Sequence, residues 1–256
     1  MKKILALILA SVMMLGLLAG CSGESEGMTI EEGKLVMSTN AAFPPYEFTK
    51  DDGSFAGIDV EIAAAIAEKL GLELEILDMD FDAALLAVNE GKSDIVMAGV
   101  TVTDKRKLVM DFTDSYATGV QVVIVKEGSD VTMDNLGEKM IGTQRGTTGY
   151  IYASDTPENG GYGEDHVTAY DNGMTAVQAL INGQVDCVII DSAPAAEFVK
   201  ANPGLTILEG EWVLENYAIG CDKGNTELVE AINGALAELI ADGTVQSIID
   251  SYITAE

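Results

Sequence analysis

Short apolar runs alternate with segments of helical period along most of this chain, and that alternation restricts the fold more than any other feature. Strand-like runs fall near Leu35–Thr39, Glu73–Met79, Asp94–Met97, Met140–Thr143, Asp186–Asp191 and Leu205–Leu208. Helical segments lie between them. Asp59–Leu70 puts Ile62, Ile66 and Leu70 on one face, and Gly71 follows where a left-handed cap would end the helix. This order predicts an α/β architecture.

An internal echo predicts two lobes of similar build. The helical run Ala83–Val88 is followed by Gly91, Asp94 and an apolar strand, and Thr175–Leu180 by Gly183, Asp186 and another, with the same glycine-to-aspartate spacing. No Pro-rich or Gly/Ser-rich linker separates the halves. Two extended segments, Tyr116–Val125 and Trp212–Gly220, are therefore expected to carry the chain between lobes as hinge strands, at 116–120 and 213–217. The expected lobes are 34–115 plus 218–256, discontinuous because helices Thr226–Ala241 and Thr244–Ile253 return to it, and 121–212. Ligands of open α/β sheets sit beyond the carboxyl ends of the strands. The two copies end at Ala98-Gly99-Val100-Thr101 and at Asp191-Ser192, so donors from one lobe would meet a carboxylate from the other.

Lys2 and Lys3 precede an apolar run, Ile4–Leu18, shorter than the about 20 residues of a spanning helix, which reads as an export signal. It ends in Leu18-Ala19-Gly20-Cys21, which resembles the lipobox of bacterial lipoproteins. That resemblance implies a signal peptide over 1–20, a lipid on Cys21 and a linker over 21–33 that tethers a soluble body to the outside of the cell membrane. The formal charge of −28 argues against nucleic acid and anionic lipid headgroups as partners. Cys187 and Cys221 lie in apolar runs and are expected to be buried free thiols.

The stretch from Met97 to Arg106 carries the chemistry. Gly99 lets the chain turn with open backbone, Thr101 and Thr103 add hydroxyls, and Arg106 offers a planar fork of donors that matches a carboxylate bidentately. Such parts suit the carboxylate end of an amino acid.

Six pieces then occur in an order that resembles the polar amino-acid-binding proteins of ATP-driven import systems, the extracellular solute-binding family 3. They are Ala41–Phe48, Gly57–Val60, Ala98–Arg106, Asp111–Thr113, Arg145–Gly149 and Ala241–Thr244, within a similarity covering nearly all of Leu35–Tyr252. The resemblance implies the periplasmic-binding-protein type II fold, two α/β lobes joined by a two-strand hinge. It implies that Arg106 pairs with the ligand α-carboxylate, helped by backbone N–H groups near Thr101 and Thr148. Asp191 would bind the α-ammonium, with the Gly99 carbonyl and the Thr101 hydroxyl as its other acceptors and Ala98 beside them. Phe43 would lie along the ligand side chain with Phe81 opposite, and Asn40, Tyr46, Phe81 and Gln144 would set selectivity. Several relatives with an amide or cationic ligand carry aspartate where this chain has Asn40. Neutral Asn40 and Gln144 favour a neutral polar amino acid such as glutamine or cystine; a basic ligand stays open. The implied partners are a free L-amino acid and the membrane subunits of an ABC permease, with the receptor a monomer.

No cofactor and no metal are expected. One histidine, His166, and two body cysteines show no metal-ligand spacing, and Asp78, Asp80 and Asp82 lack the glycine and glutamate of a calcium loop, with Ala83 and Asn89 in those places. The Gly23-Glu24-Ser25-Glu26-Gly27 string lies in the tether and not at a strand-to-helix turn. No catalytic residue is assigned. Two alternatives remain: an enzyme of the same fold, similar to cyclohexadienyl dehydratases, with Asp191 as a base, and an amino-acid sensor using the same pocket.

Overall fold

The computed structural model describes residues 27–210 and 212–253. The expected signal peptide and the lipid-bearing Cys21 lie outside the described residues. One mixed sheet runs through the molecule in the order β5-β1-β6-β12-β7-β10-β8-β9, with β11 on β7. In one half, β1 (Lys34–Thr39) lies parallel to β5 (Glu73–Asp78) and β6 (Ile95–Val96). In the other, β8 (Ile141–Gln144) lies parallel to β9 (Val167–Tyr170) and β10 (Cys187–Asp191). Two long strands join the halves. β7 (Met110–Lys126) and β12 (Val213–Asp222) pair antiparallel from Asp222↔Met110 to Val213↔Gln121, with register shifts around Ala218. Beyond that ladder, residues 121–125 of β7 pair with β10, and β11 (Leu205–Ile207) caps the end of β7. These pairings form two α/β lobes on a two-strand hinge.

Helix α1 (Ile58–Leu70) forms where the pattern predicts it. Ile58, Ile62 and Ile66 are fully buried, and burial of such a side chain contributes about 2 kcal/mol. Gly71 takes φ 70 and its N–H closes onto Ala67 O and Glu68 O, so the helix ends in the left-handed cap. Helices α7 (Thr226–Ala241) and α8 (Thr244–Tyr252) pack on α1. The echo helices are α2 (Phe81–Asn89) and α5 (Gly173–Ile181), each covering its own lobe's strands. Cys187 and Cys221 are buried and free.

Some elements escape the pattern. A separate small sheet of β2 (Ala42–Phe43), β3 (Glu47–Thr49) and β4 (Phe55–Ala56) follows β1. Two- and three-residue strands carry no periodicity to read. Helix α6 (Ser192–Ala201) follows β10 directly, with Pro194 inside its first turn, where a missing N–H costs nothing. Among the described residues no helix is long and apolar enough to cross a membrane.

Candidate functional site

The lobes meet over a small cavity lined by residues of both. From the first lobe come Asn40, Phe43, Glu47, Phe81, Ala98, Gly99, Thr101 and Arg106; from the second come Gln144, Thr147, Thr148 and Asp191. All but one of the site residues expected from sequence therefore line one cavity. Tyr46 does not. Its ring lies behind Phe43, stacked at 5.8 Å between centroids, and meets Tyr217 edge-on at 5.2 Å.

The turn after β6 sets the floor. Gly99 has φ 56, and a β-carbon there would stand 2.9 Å from the Phe43 ring, so both its conformation and its close approach favour glycine. Its N–H donates to Asp59 Oδ2 at 2.9 Å, which ties the turn to the first helical turn of α1. Thr103 caps the short helix α3 (Asp104–Lys107) by accepting from the Arg106 N–H at 3.2 Å. That cap turns Arg106 inward. Its side chain is buried, with the guanidinium 5.4 Å from the Phe81 ring centroid. Nη1 donates to Thr101 O at 2.8 Å and Nη2 to Gly146 O at 3.2 Å. Phe81, expected to oppose Phe43 along a ligand, supports the guanidinium as well as lining the cavity.

The second lobe approaches through the turn after β8. Gln144 Nε2 donates to Asn40 Oδ1 at 2.9 Å, and Asn40 Nδ2 donates to Met79 O at 2.9 Å. Thr147 caps helix α4 (Thr148–Ser154), placing Thr148 at its first turn against the cavity. Gly146, with φ 74, lies so near Asp82 of the first lobe that any side chain would collide.

Asp191 ends β10 and is 7% exposed. It accepts from the Tyr217 hydroxyl and from Gln121 Nε2 at 2.9 Å, and the same Gln121 nitrogen reaches Glu215 Oε2 at 3.0 Å. The Thr101 hydroxyl donates to Glu215 Oε2 at 3.1 Å. Burial first, and then the Glu215 charge, push the Asp191 carboxyl up to about 7. A salt bridge with a ligand ammonium would pull it the other way; the protein's own surroundings raise it, through burial first and the neighbouring Glu215 second. Burial pushes Arg106 below its usual range, against the pull of Glu215 and other acidic neighbours.

Sequence reasoning missed a carboxylate layer beneath the cavity. Glu47 is fully buried and lines the cavity, and no donor among the described residues reaches either carboxylate oxygen. Asp59, also fully buried, accepts from the Tyr116 hydroxyl at 2.7 Å, and burial pushes it up to about 6. Both lay inside quoted motifs. Charged residues in otherwise apolar contexts, Glu47 after Tyr46 and Glu215 within the strand run, were the available signal.

Among the described residues no cluster of His, Cys, Asp and Glu could hold a metal ion. His166 stands in a 3₁₀ turn just before β9, away from the cavity lining. The cavity is lined by a guanidinium and two carboxyl groups together with hydroxyls and aromatic rings. That is the complement of a zwitterion.

The model of bacterial extracellular solute-binding proteins, family 3, matches residues 35–255. The L-cystine-binding protein TcyJ of Escherichia coli (strain K12) is 31% identical over 258 residues, covering 97% of this chain and 95% of TcyJ. The arginine-binding extracellular protein ArtP of Bacillus subtilis (strain 168) is 31% identical over the full length of both chains. Among solved structures, an ancestral arginine-binding protein bound to glutamine superposes with a TM-score of 0.81 at 38% identity, over 88% of this chain and 100% of that one. With a family match that spans both lobes and the cavity between them, the chain belongs to the bacterial extracellular solute-binding proteins, family 3.

Proposed function

We propose that this chain is an extracytoplasmic receptor that captures one free L-amino acid by closing its lobes on the hinge strands and delivers it to an ABC importer. The observation that carries this reading is the joint lining of one interlobe cavity by Arg106 and Asp191. Arg106 takes the α-carboxylate, and Asp191 with the Gly99 carbonyl and Thr101 hydroxyl takes the α-ammonium. Buried charges are costly without partners, so a zwitterion offsets both ends at once and couples binding to closure. The lobes span 34–115 with 218–256 and 121–212 in this reading, and Cys21 carries the lipid tether. No chemistry is performed on the ligand, and the receptor acts as a monomer.

The neutral Asn40–Gln144 pair favours a neutral polar ligand such as glutamine or cystine. The Glu47 carboxylate favours a cationic one. A thermal-shift screen of the twenty amino acids with cystine, citrulline and ornithine tests the receptor reading, because a ligand raises apparent stability by mass action. No shift with any of them would overturn it.

A second reading, an enzyme of the same fold, draws on one observation: a carboxyl pushed up to about 7 at Asp191 lies in the range of a general base. Product analysis after incubation with cyclic carboxylic acids would reveal turnover. A sensor would use the same pocket and differ only in the protein that docks on the closed lobes.

A further inference from the structure

Behind the cavity lining stands a carboxylate that the zwitterion clamp does not use. Glu215 lies in hinge strand β12 and is 3% exposed. Both of its donors, the Thr101 hydroxyl at 3.1 Å and Gln121 Nε2 at 3.0 Å, meet Oε2. No donor among the described residues reaches Oε1. A buried charge served on one oxygen alone is costly unless a cation comes near it.

Strand register puts Glu215 there. Gln121 of β7 lies opposite Val213 of β12 on one side and Asp191 of β10 on the other. Glu215 is two residues beyond Val213, hence on the same face, and meets Gln121 diagonally. One amide therefore stands between two carboxylates, its Nε2 donating to Asp191 Oδ2 at 2.9 Å and to Glu215 Oε2. From the first lobe, Thr101 forms a β-bridge with Tyr217 of the same strand, which brings its hydroxyl to Glu215. A hydroxyl has a single hydrogen. With that hydrogen given to Glu215, the Thr101 oxygen can only accept, and an ammonium needs acceptors. The other charged or titratable groups facing the two carboxylates are Arg106 on α3, Tyr152 on α4, Tyr217 on β12, and Tyr46 and Glu47 at the start of β3. Arg106 is the cation among them, and its guanidinium is held by Thr101 O and Gly146 O.

We propose that Glu215 is a positioning residue for the ligand α-ammonium, aiming the Thr101 lone pairs at it directly and acting on Asp191 through the shared Gln121 amide. The inference rests on the amino-acid-receptor reading and adds a hinge residue that the clamp itself does not contain. An ammonium resting on Thr101 and Asp191 stands beside the Glu215 charge and is attracted by it. The same charge helps to hold a proton on Asp191 up to about 7 in the empty site. Entry of the ammonium sends that proton to solvent, so affinity falls as pH drops below the value at which the empty site ionises. Glu215 thus strengthens the grip at mildly basic pH and loosens it at mildly acidic pH.

The test is calorimetry from about pH 6 to about pH 8 with whichever of the twenty L-amino acids and cystine binds most tightly. In the unaltered protein affinity is expected to fall about tenfold from the upper to the lower pH, as a carboxyl that ionises at about 7 requires. Glu215→Gln keeps an oxygen that can accept from Thr101 but removes the charge, so binding weakens at about pH 8 and the fall shrinks to within about threefold. Gln121→Leu removes the donor between the carboxylates, so the fall begins at higher pH. A merely structural role would weaken both variants without moving their profiles in opposite directions. Glu215→Ala also strips Thr101 of its acceptor and should bind less tightly than Glu215→Gln at every pH. Should Glu215→Gln misfold, an upward move in Gln121→Leu supports the coupling and an unmoved profile overturns it. A flat profile in the unaltered protein, profiles that move the same way in both variants, or equal affinities of Glu215→Ala and Glu215→Gln overturn the proposal and leave the receptor reading standing. Absence of binding by every amino acid overturns both.

Discussion

The side-chain amide of Gln144 donates to Asn40 Oδ1 at 2.9 Å, so a residue at the end of a second-lobe strand is bonded directly to one just past a first-lobe strand. Both are buried. With the Arg106 bond to Gly146 O, this is a polar link across the cavity that a ligand does not have to supply.

Gln144→Ala removes that link without touching either lobe's core. A hydrogen bond of this kind contributes about 0.5–1.5 kcal/mol net, so amino-acid affinity is expected to fall by up to about tenfold with little change in thermal stability. Small-angle scattering of the ligand-free variant should show a larger radius of gyration as the closed population shrinks. An unchanged radius together with unchanged affinity would remove the pair from closure.

Arg106→Ala deletes the only cationic side chain that lines the cavity among the described residues. Stranding a buried ligand carboxylate costs about 2–5 kcal/mol, so calorimetry should show binding weakened at least about thirtyfold. Arg106→Lys should recover only part of this, since an ammonium cannot reproduce the planar fork. Full affinity in the alanine variant would place the carboxylate elsewhere.

Stability of the ligand-free protein should fall as pH rises from mildly acidic to mildly basic. Burial holds protons on Asp59 up to about 6 and on Asp191 up to about 7, whereas in the unfolded chain aspartates release theirs near about 4. Between those values the native state binds more protons than the unfolded one, so the stability these groups contribute is complete below the unfolded value and is lost as pH climbs through about 6 and about 7. The melting temperature should be higher near about pH 5 than near about pH 8, and Asp191→Asn should flatten the difference. A melting temperature that climbs across this interval would contradict the assigned burial.

Gly119 lies in β7 where a side chain would overlap the Tyr217 hydroxyl and stand 2.8 Å from Asp191 Oδ1. Gly119→Ala should therefore displace the Tyr217–Asp191 bond and weaken amino-acid binding more than it lowers the melting temperature. Gly57→Ala offers the contrast. Its φ of 126 and its contact with the Tyr46 carbonyl belong to the α1 start, so the expected loss there is chiefly of stability. Equal effects of the two variants on binding would argue against a site role for Gly119.

Much of this was legible from residue order. The helical spacing of Ile62, Ile66 and Leu70 and the left-handed Gly71 specify α1, because apolar burial and a cap are local requirements. The cavity residues Gly99, Thr101, Arg106 and Asp191 were legible for a related reason. Asp191 ends a strand and the other three follow one, at carboxyl edges that converge once two lobes face each other. The β2-β3-β4 sheet was not legible, since strands this short are held by their neighbours and not by their own pattern.

Sequence alone determined the α/β alternation, the paired halves and which residues carry charged or polar groups at the strand ends, because those follow from periodicity and from functional groups that each residue carries wherever it lies. Tertiary structure alone decided the charge balance of the pocket. Glu47 and Asp59 lie far from Asp191 and Glu215 in the chain, and only folding buries all four and brings Glu47 and Asp191 to one cavity, where Arg106 is the sole cationic lining residue among the described residues. A carboxylate's electrostatic cost depends on the water removed and the charges brought near, and neither is a property of the residue by itself.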